Sequence, residues 1–161
     1  MTASEPVVDV DIVSAEEGIP GSAAIQDWVR SALTMSRQLV ADAEVSVRVV
    51  EEPEMRELNR DYRQQDKSTN VLSFPAGEFA GLPPDAGHPL GDIIVCAPVV
   101  AREAAEQGKQ LSHHWAHMLV HGTLHLIGYD HQSDEQATAM EGLEKRVLER
   151  HGIGNPYGAT R

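Results

Sequence analysis

Apolar and acidic residues alternate from Val7 to Val13, through Val8-Asp9-Val10-Asp11-Ile12, the period-two pattern of a strand with one wet face. After Pro20-Gly21 the period changes. Ile25, Trp28, Val29, Ala32, Leu33, Leu39 and Val40 predict a helix running to about Val40. Glu44 to Val50 alternates again as a second strand. Pro53 suits the first turn of a second helix, predicted to carry Met55, Leu58 and Tyr62 inward, and Thr69 to Phe74 gives a third strand. Residues 75–91 hold Pro75, Gly77, Gly81, Pro83, Pro84, Gly87, Pro89 and Gly91. A stretch of that length and composition is a lid, a binding loop or a disordered segment. Leu90 to Cys96 is a fourth strand, and Pro98 opens a helix to about Gln107. Ser112 is placed as N-cap of a helix over 113–127. Ser133 and Gln136 form a capping box for a last helix, whose Ala137, Met140, Leu143, Val147 and Leu148 face the core and which Gly152 ends.

These elements predict an α/β (α+β) fold, one domain over residues 1–161, with an approximately four-stranded, mostly parallel sheet packed with helices. Helices separate the first three strands, so right-handed crossovers should make them parallel. The fourth strand follows the irregular stretch without a helix and is expected at an edge, antiparallel. A chain of 161 residues can bury about 70% of its unfolded surface and needs no disulfide. Its single cysteine, Cys96, follows Ile93-Ile94-Val95 and suits a buried position in a reducing compartment. With no signal-peptide pattern at Met1 to Asp11 and no apolar run near the ~20 residues of a membrane span, the expectation is a cytoplasmic protein with no membrane partner.

The net charge of −12 argues against a general nucleic-acid coat, which carries a basic surface. One segment departs from that balance. Arg56, Arg60, Arg63 and Lys67 stand at i, i+4, i+7 and i+11, one helical face if the helix extends that far. Spacing alone makes this a solvated face.

The segment His121-Gly122-Thr123-Leu124-His125-Leu126-Ile127-Gly128-Tyr129-Asp130-His131 carries the chemistry. On a helix, residues i and i+4 lie about 40° apart and roughly 6 Å along the axis, so His121 and His125 can face one cation. Gly128 can take the left-handed conformation that ends a helix and brings His131 round as a third ligand. Three protein ligands with an open fourth position is the arrangement of catalytic zinc; three imidazoles also accept nickel or another divalent transition metal. His117 and His121 make a second HxxxH pair, but 117, 121 and 125 would be nearly collinear, so the assigned ligands are His121, His125 and His131. The histidine and glycine spacing matches that of metzincin proteases, except that Gly122 stands where they carry the general-base glutamate. Its place inside a helix suits close packing or access to the metal. Asp130 either orients a ligand imidazole or accepts a proton, or simply caps the bend before His131.

Four motifs in order, Leu58-Asn59-Arg60-Asp61-Tyr62-Arg63, Asp66 to Pro75, Leu90-Gly91-Asp92-Ile93 and His121 to His131, resemble the YbeY family of metal-dependent endoribonucleases, also called rRNA maturation factors. The resemblance covers nearly the whole chain and departs at Ser68, where the family commonly has proline. It implies a single-strand-specific endoribonuclease needed for maturation of the 16S rRNA 3′ end and for late ribosome quality control, with the small ribosomal subunit and its proteins as partners. It also implies zinc at His121, His125 and His131, and Arg63 as the functional arginine of the cleft. A zinc-containing assembly factor without activity and a zinc peptidase stand as alternatives.

Overall fold

The computed structural model describes residues 6–36, 43–76, 88–130 and 132–157. In chain order they form β1 (Val7–Ile12), α1 (Ser22–Met35), β2 (Ala43–Val50), α2 (Glu52–Arg63), β3 (Val71–Pro75), β4 (His88–Cys96), α3 (Ala97–Gln107), α4 (Leu111–Leu126) and α5 (Asp134–Arg150). The strands make one sheet in the order β1-β2-β4-β3, with β1–β2 and β2–β4 parallel and β3–β4 antiparallel. This is a single α+β domain with a mixed sheet.

The expected places of the last two strands are exchanged. β4 lies inside the sheet, parallel to β2, and β3 is the antiparallel edge strand. The cause is visible in β4 itself, where Ile93, Ile94, Val95 and Cys96 are all buried. A strand covered on both faces needs such an uninterrupted apolar run, whereas an edge strand does not. Gly91 lets β3 come close: at φ +142° its backbone lies so near Phe74 and Pro75 that an added Cβ would collide with both.

Two apolar layers enclose the sheet. Val45, Val47, Val49, Ile93 and Val95 belong to one core cluster with residues of α1, α4 and α5, while Val50, Ile94, Cys96, Phe74 and Met55 form a smaller cluster beneath α2. Burying each large side chain stabilises the fold by roughly 1.5–3 kcal/mol. α4 is the central helix, packed against α1, α3, α5, β3 and β4, and its Trp115, Leu119, Val120, Thr123 and Leu124 are essentially inaccessible. None of the described helices is long and apolar enough to cross a membrane.

Several boundaries shift. α1 is described as far as Met35, with Ser36 at its C-cap, and the predicted continuation through Leu39 and Val40 falls in residues 37–42, outside the described set. α4 starts at Leu111 with Gln110 at its N-cap and no side-chain cap, so Ser112 falls inside the helix. Ser133 does accept a hydrogen bond from the Gln136 amide N–H at 3.1 Å. The Gln136 side chain, however, accepts from Gln132 N–H rather than closing the box on Ser133. Tyr62 is 38% exposed and sets its ring edge against Phe74, while Asn59 is buried instead. Of the irregular stretch 75–91, Pro75 ends β3 and β4 begins at His88; residues 77–87 lie outside the described set.

Candidate metal centre and cleft

α2 ends at Arg63 because Gln64 adopts a left-handed conformation, φ 59° and ψ 34°. The buried Asn59 amide then donates to the Lys67 carbonyl at 2.8 Å and ties down the return loop. Lys67 is therefore off the helix, and the expected four-cation face does not form. Arg56 pairs with Asp66 at 2.7 Å and Arg60 with Asp61 at 3.0 Å, both on the surface. Arg63 points the other way. Its guanidinium lies 4.5 Å from the Phe74 ring centroid and donates to the Ser73 carbonyl at 2.8 Å.

That turn brings Arg63 to the wall of a cleft of ≈ 540 Å³, lined also by Asn70, Ser73, His121, Gly122, His125 and Asp130. Gly122 is where α4 meets the sheet. A Cβ there would sit 3.0 Å from both Ile93 and Val71, and the Ser73 hydroxyl donates to the Gly122 carbonyl at 2.7 Å. Close packing is thus the reason for a glycine inside the helix.

The His121 and His125 rings lie one turn apart with centroids at 4.7 Å. α4 ends as its glycine predicts. Gly128 takes φ +108°, its N–H bonds the His125 carbonyl, and Tyr129 N–H bonds that of Leu124, the paired bonds of a Schellman end. His131 lies outside the described residues.

Beneath the cleft is a group the sequence reading missed. Glu144, from α5, is fully buried. One carboxylate oxygen is 2.6 Å from His121 Nδ1; the other is 3.2 Å from His117 Nε2 and accepts from the Tyr157 hydroxyl at 2.6 Å. Burial pushes the Glu144 carboxyl up, but hydrogen bonds from His117 and His121, the charge of His121 and the Tyr157 hydroxyl outweigh it and hold it at about 2. Burial and the carboxylate together push the Tyr157 hydroxyl above its ordinary value. Potential ligand atoms of His117, His121 and Glu144 lie within 4.8 Å of one another, a group able to hold a metal ion. A signal for Glu144 was present: it shares the core face of α5 with Met140, Leu143 and Val147, where an acid needs a special reason to stand.

The upstream histidines have separate settings. His114 is buried with Nε2 2.9 Å from Glu103, and its pKa is lowered by burial against the opposing pull of that carboxylate. Asn70 donates to the same carboxylate at 3.2 Å, which steadies the lip of the cleft.

A family model described as endoribonuclease YbeY matches residues 12–152. The chain belongs to the YbeY endoribonuclease family. A Xanthomonas campestris pv. campestris (strain B100) protein named endoribonuclease YbeY is 49% identical over 164 residues, covering 100% of both chains. One of the same name from Halorhodospira halophila is 53% identical over 138 residues, covering 86% of this chain and 88% of that one. The solution structure of a Thermotoga maritima protein matches with a TM-score of 0.55 and 26% identity, covering 93% of this chain and 99% of that one. The segment matched to the YbeY model contains Arg63, His121, His125, His131 and Glu144, but not Tyr157.

Proposed function

We propose that this chain is a zinc-dependent endoribonuclease that cuts single-stranded RNA in the cytoplasm and acts in 16S rRNA 3′-end maturation and late quality control of the small ribosomal subunit. The observation that carries this reading is the convergence of His121, His125 and Arg63 on one cleft. The family membership supports an RNA phosphodiester as substrate.

The residues present fit a metal. A carboxylate can only accept, so the 2.6 Å contact makes His121 Nδ1 the donor; in the neutral ring Nε2 then carries the lone pair, the state a ligand requires. His121, His125 and His131 would hold the ion. When bound, zinc supplies Lewis acidity and lowers the pKa of water toward ~7. The rest falls to the chain's own groups. Arg63, always protonated and matched in shape to phosphate, sits where negative charge grows on the equatorial oxygens of a phosphorus under attack. Its seat over Phe74 and its bond to Ser73 fix the guanidinium before substrate arrives. Asp130 is the one carboxylate among the described cleft-lining residues and is the candidate proton acceptor, because Glu144 already performs the orienting role for His121.

A peptidase reading needs a glutamate at position 122, where a Cβ alone would already press on Ile93 and Val71 at 3.0 Å. The test is a substrate panel for the zinc-loaded protein: single-stranded RNA, duplex RNA and casein, with metal content measured on the same samples. Cleavage of single-stranded RNA alone is expected, with His125→Ala and His131→Ala each losing most of the metal. Casein cleavage, or a His117→Ala variant that loses metal while His131→Ala retains it, would overturn the reading. Metal binding without RNA cleavage would leave an assembly factor.

A further inference from the structure

Burying a carboxylate is unfavourable unless its oxygens are fully hydrogen-bonded, and nothing in the packing of α5 demands one at position 144. A leucine or methionine there would continue the apolar face formed by Met140, Leu143 and Val147. Glu144 is instead met by three donors, and two come from the helix that bears the proposed metal ligands. The third comes from beyond the last helix. After α5, Gly152 at φ +76° turns the chain, and Ile153 is 8% exposed against the core. Lys109 donates to the Pro156 carbonyl at 3.4 Å, and Tyr157 N–H bonds the Asn155 side chain. Tyr157 arrives with its ring half-exposed, edge-on to His117 at 5.1 Å between centroids, and its hydroxyl turned in to Glu144.

We propose that Glu144 is the positioning residue of the metal centre, fixing the His121 ring through Nδ1, and that Tyr157 latches it, making the segment after α5 part of the site. This rests on the reading of His121, His125 and His131 as the ligands. The carboxylate selects the tautomer with its proton on Nδ1, restrains ring rotation and makes the opposite nitrogen a stronger donor to a cation. Tyr157 and His117 saturate the second oxygen, so the carboxylate has no low-energy alternative to its bond with His121.

The probe is Zn²⁺ alone, competed against a chromophoric chelator, with full-length parent and variants compared at neutral pH. Glu144→Gln is expected to weaken zinc binding about 10–100-fold, the usual loss when such a partner is removed. Tyr157→Phe, which leaves the carboxylate in place, should weaken it severalfold. Glu103→Gln, a change in the other histidine–carboxylate contact of α4, should leave it unaltered. In the zinc-loaded parent, the His121 Nδ1 proton should resonate strongly downfield by ¹H–¹⁵N NMR, and both site variants should shift it upfield; loss of packing alone would not produce that signature.

Unchanged affinity and an unmoved Nδ1 resonance in a folded Glu144→Gln would overturn the proposal. If Glu144→Gln fails to fold, unchanged affinity and resonance in Tyr157→Phe overturn the latch. A parent that binds no zinc would sink the underlying site reading. A His117→Gln loss as large as that of His125→Ala would instead put the ion between His117, His121 and Glu144, and so make Glu144 a ligand.

Discussion

Four cations share a helical spacing between Arg56 and Lys67, yet only Arg63 reaches the cleft. The difference is local. Asp66 and Asp61 hold Arg56 and Arg60 on the surface, and the left-handed Gln64 takes Lys67 off the helix. Hydrophobic periodicity could not separate these cases, because the choice depends on where β3 passes; the family motif singled out Arg63. If Arg63 stabilises charge that exists only in the transition state, Arg63→Ala should lower single-turnover RNA cleavage about a hundredfold, some 3 kcal/mol, with affinity little changed. Equal losses in affinity and cleavage would mark it as an ordinary phosphate contact, which also reduces the salt slope by about one. Glu144 and Tyr157 were missed for a different reason: Glu144 showed only as an acid on the core face of α5, and the partners of both residues exist only once α5 and the chain after it fold over α4. His114 makes a pH prediction. Its pKa is lowered by burial, with Glu103 opposing, so the neutral form is the one that stabilises the fold. That contribution is complete above the ordinary value of 6.5 and fades as pH falls below it, because the unfolded chain then binds the extra proton. Between pH 7 and pH 5 the urea midpoint should fall less in His114→Asn than in the parent; an equal fall would contradict this assignment.

At the scale of elements, period and punctuation located each strand and helix among the described residues, and the glycine ends of α4 and α5 form where Gly128 and Gly152 stand. Strand order was harder. The irregular connection suggested an edge for β4, but the unbroken run Ile93-Ile94-Val95-Cys96 already marked a strand covered on both faces, and the apolar run proved the better guide. Gly122 was legible as a place of close packing or metal access without its partner being known; that partner is the Val71–Ile93 surface of β3 and β4. Gly122→Glu should therefore weaken the docking of α4 by roughly 1–3 kcal/mol, the usual cost of overpacking, and should not raise RNA cleavage. Chemical denaturation with a matched cleavage assay checks both. An undiminished midpoint, or a clear gain in ribonuclease rate, would show that the position has room for a base.

Over the whole molecule, the charge of −12 and the chemistry of the cleft pull in different directions. A broadly acidic surface repels the RNA backbone and disfavours indiscriminate binding, so recognition must concentrate where Arg63 and the histidines face outward. The proposed activity then depends on a single ion held in the cleft by α4. The most direct measurement is single-turnover cleavage of a single-stranded RNA by the zinc-loaded protein, repeated after removal of metal with a chelator and again after zinc is restored. The account predicts cleavage, its loss, and its recovery at one equivalent of zinc per chain. Cleavage that persists at full rate in metal-stripped protein would contradict it.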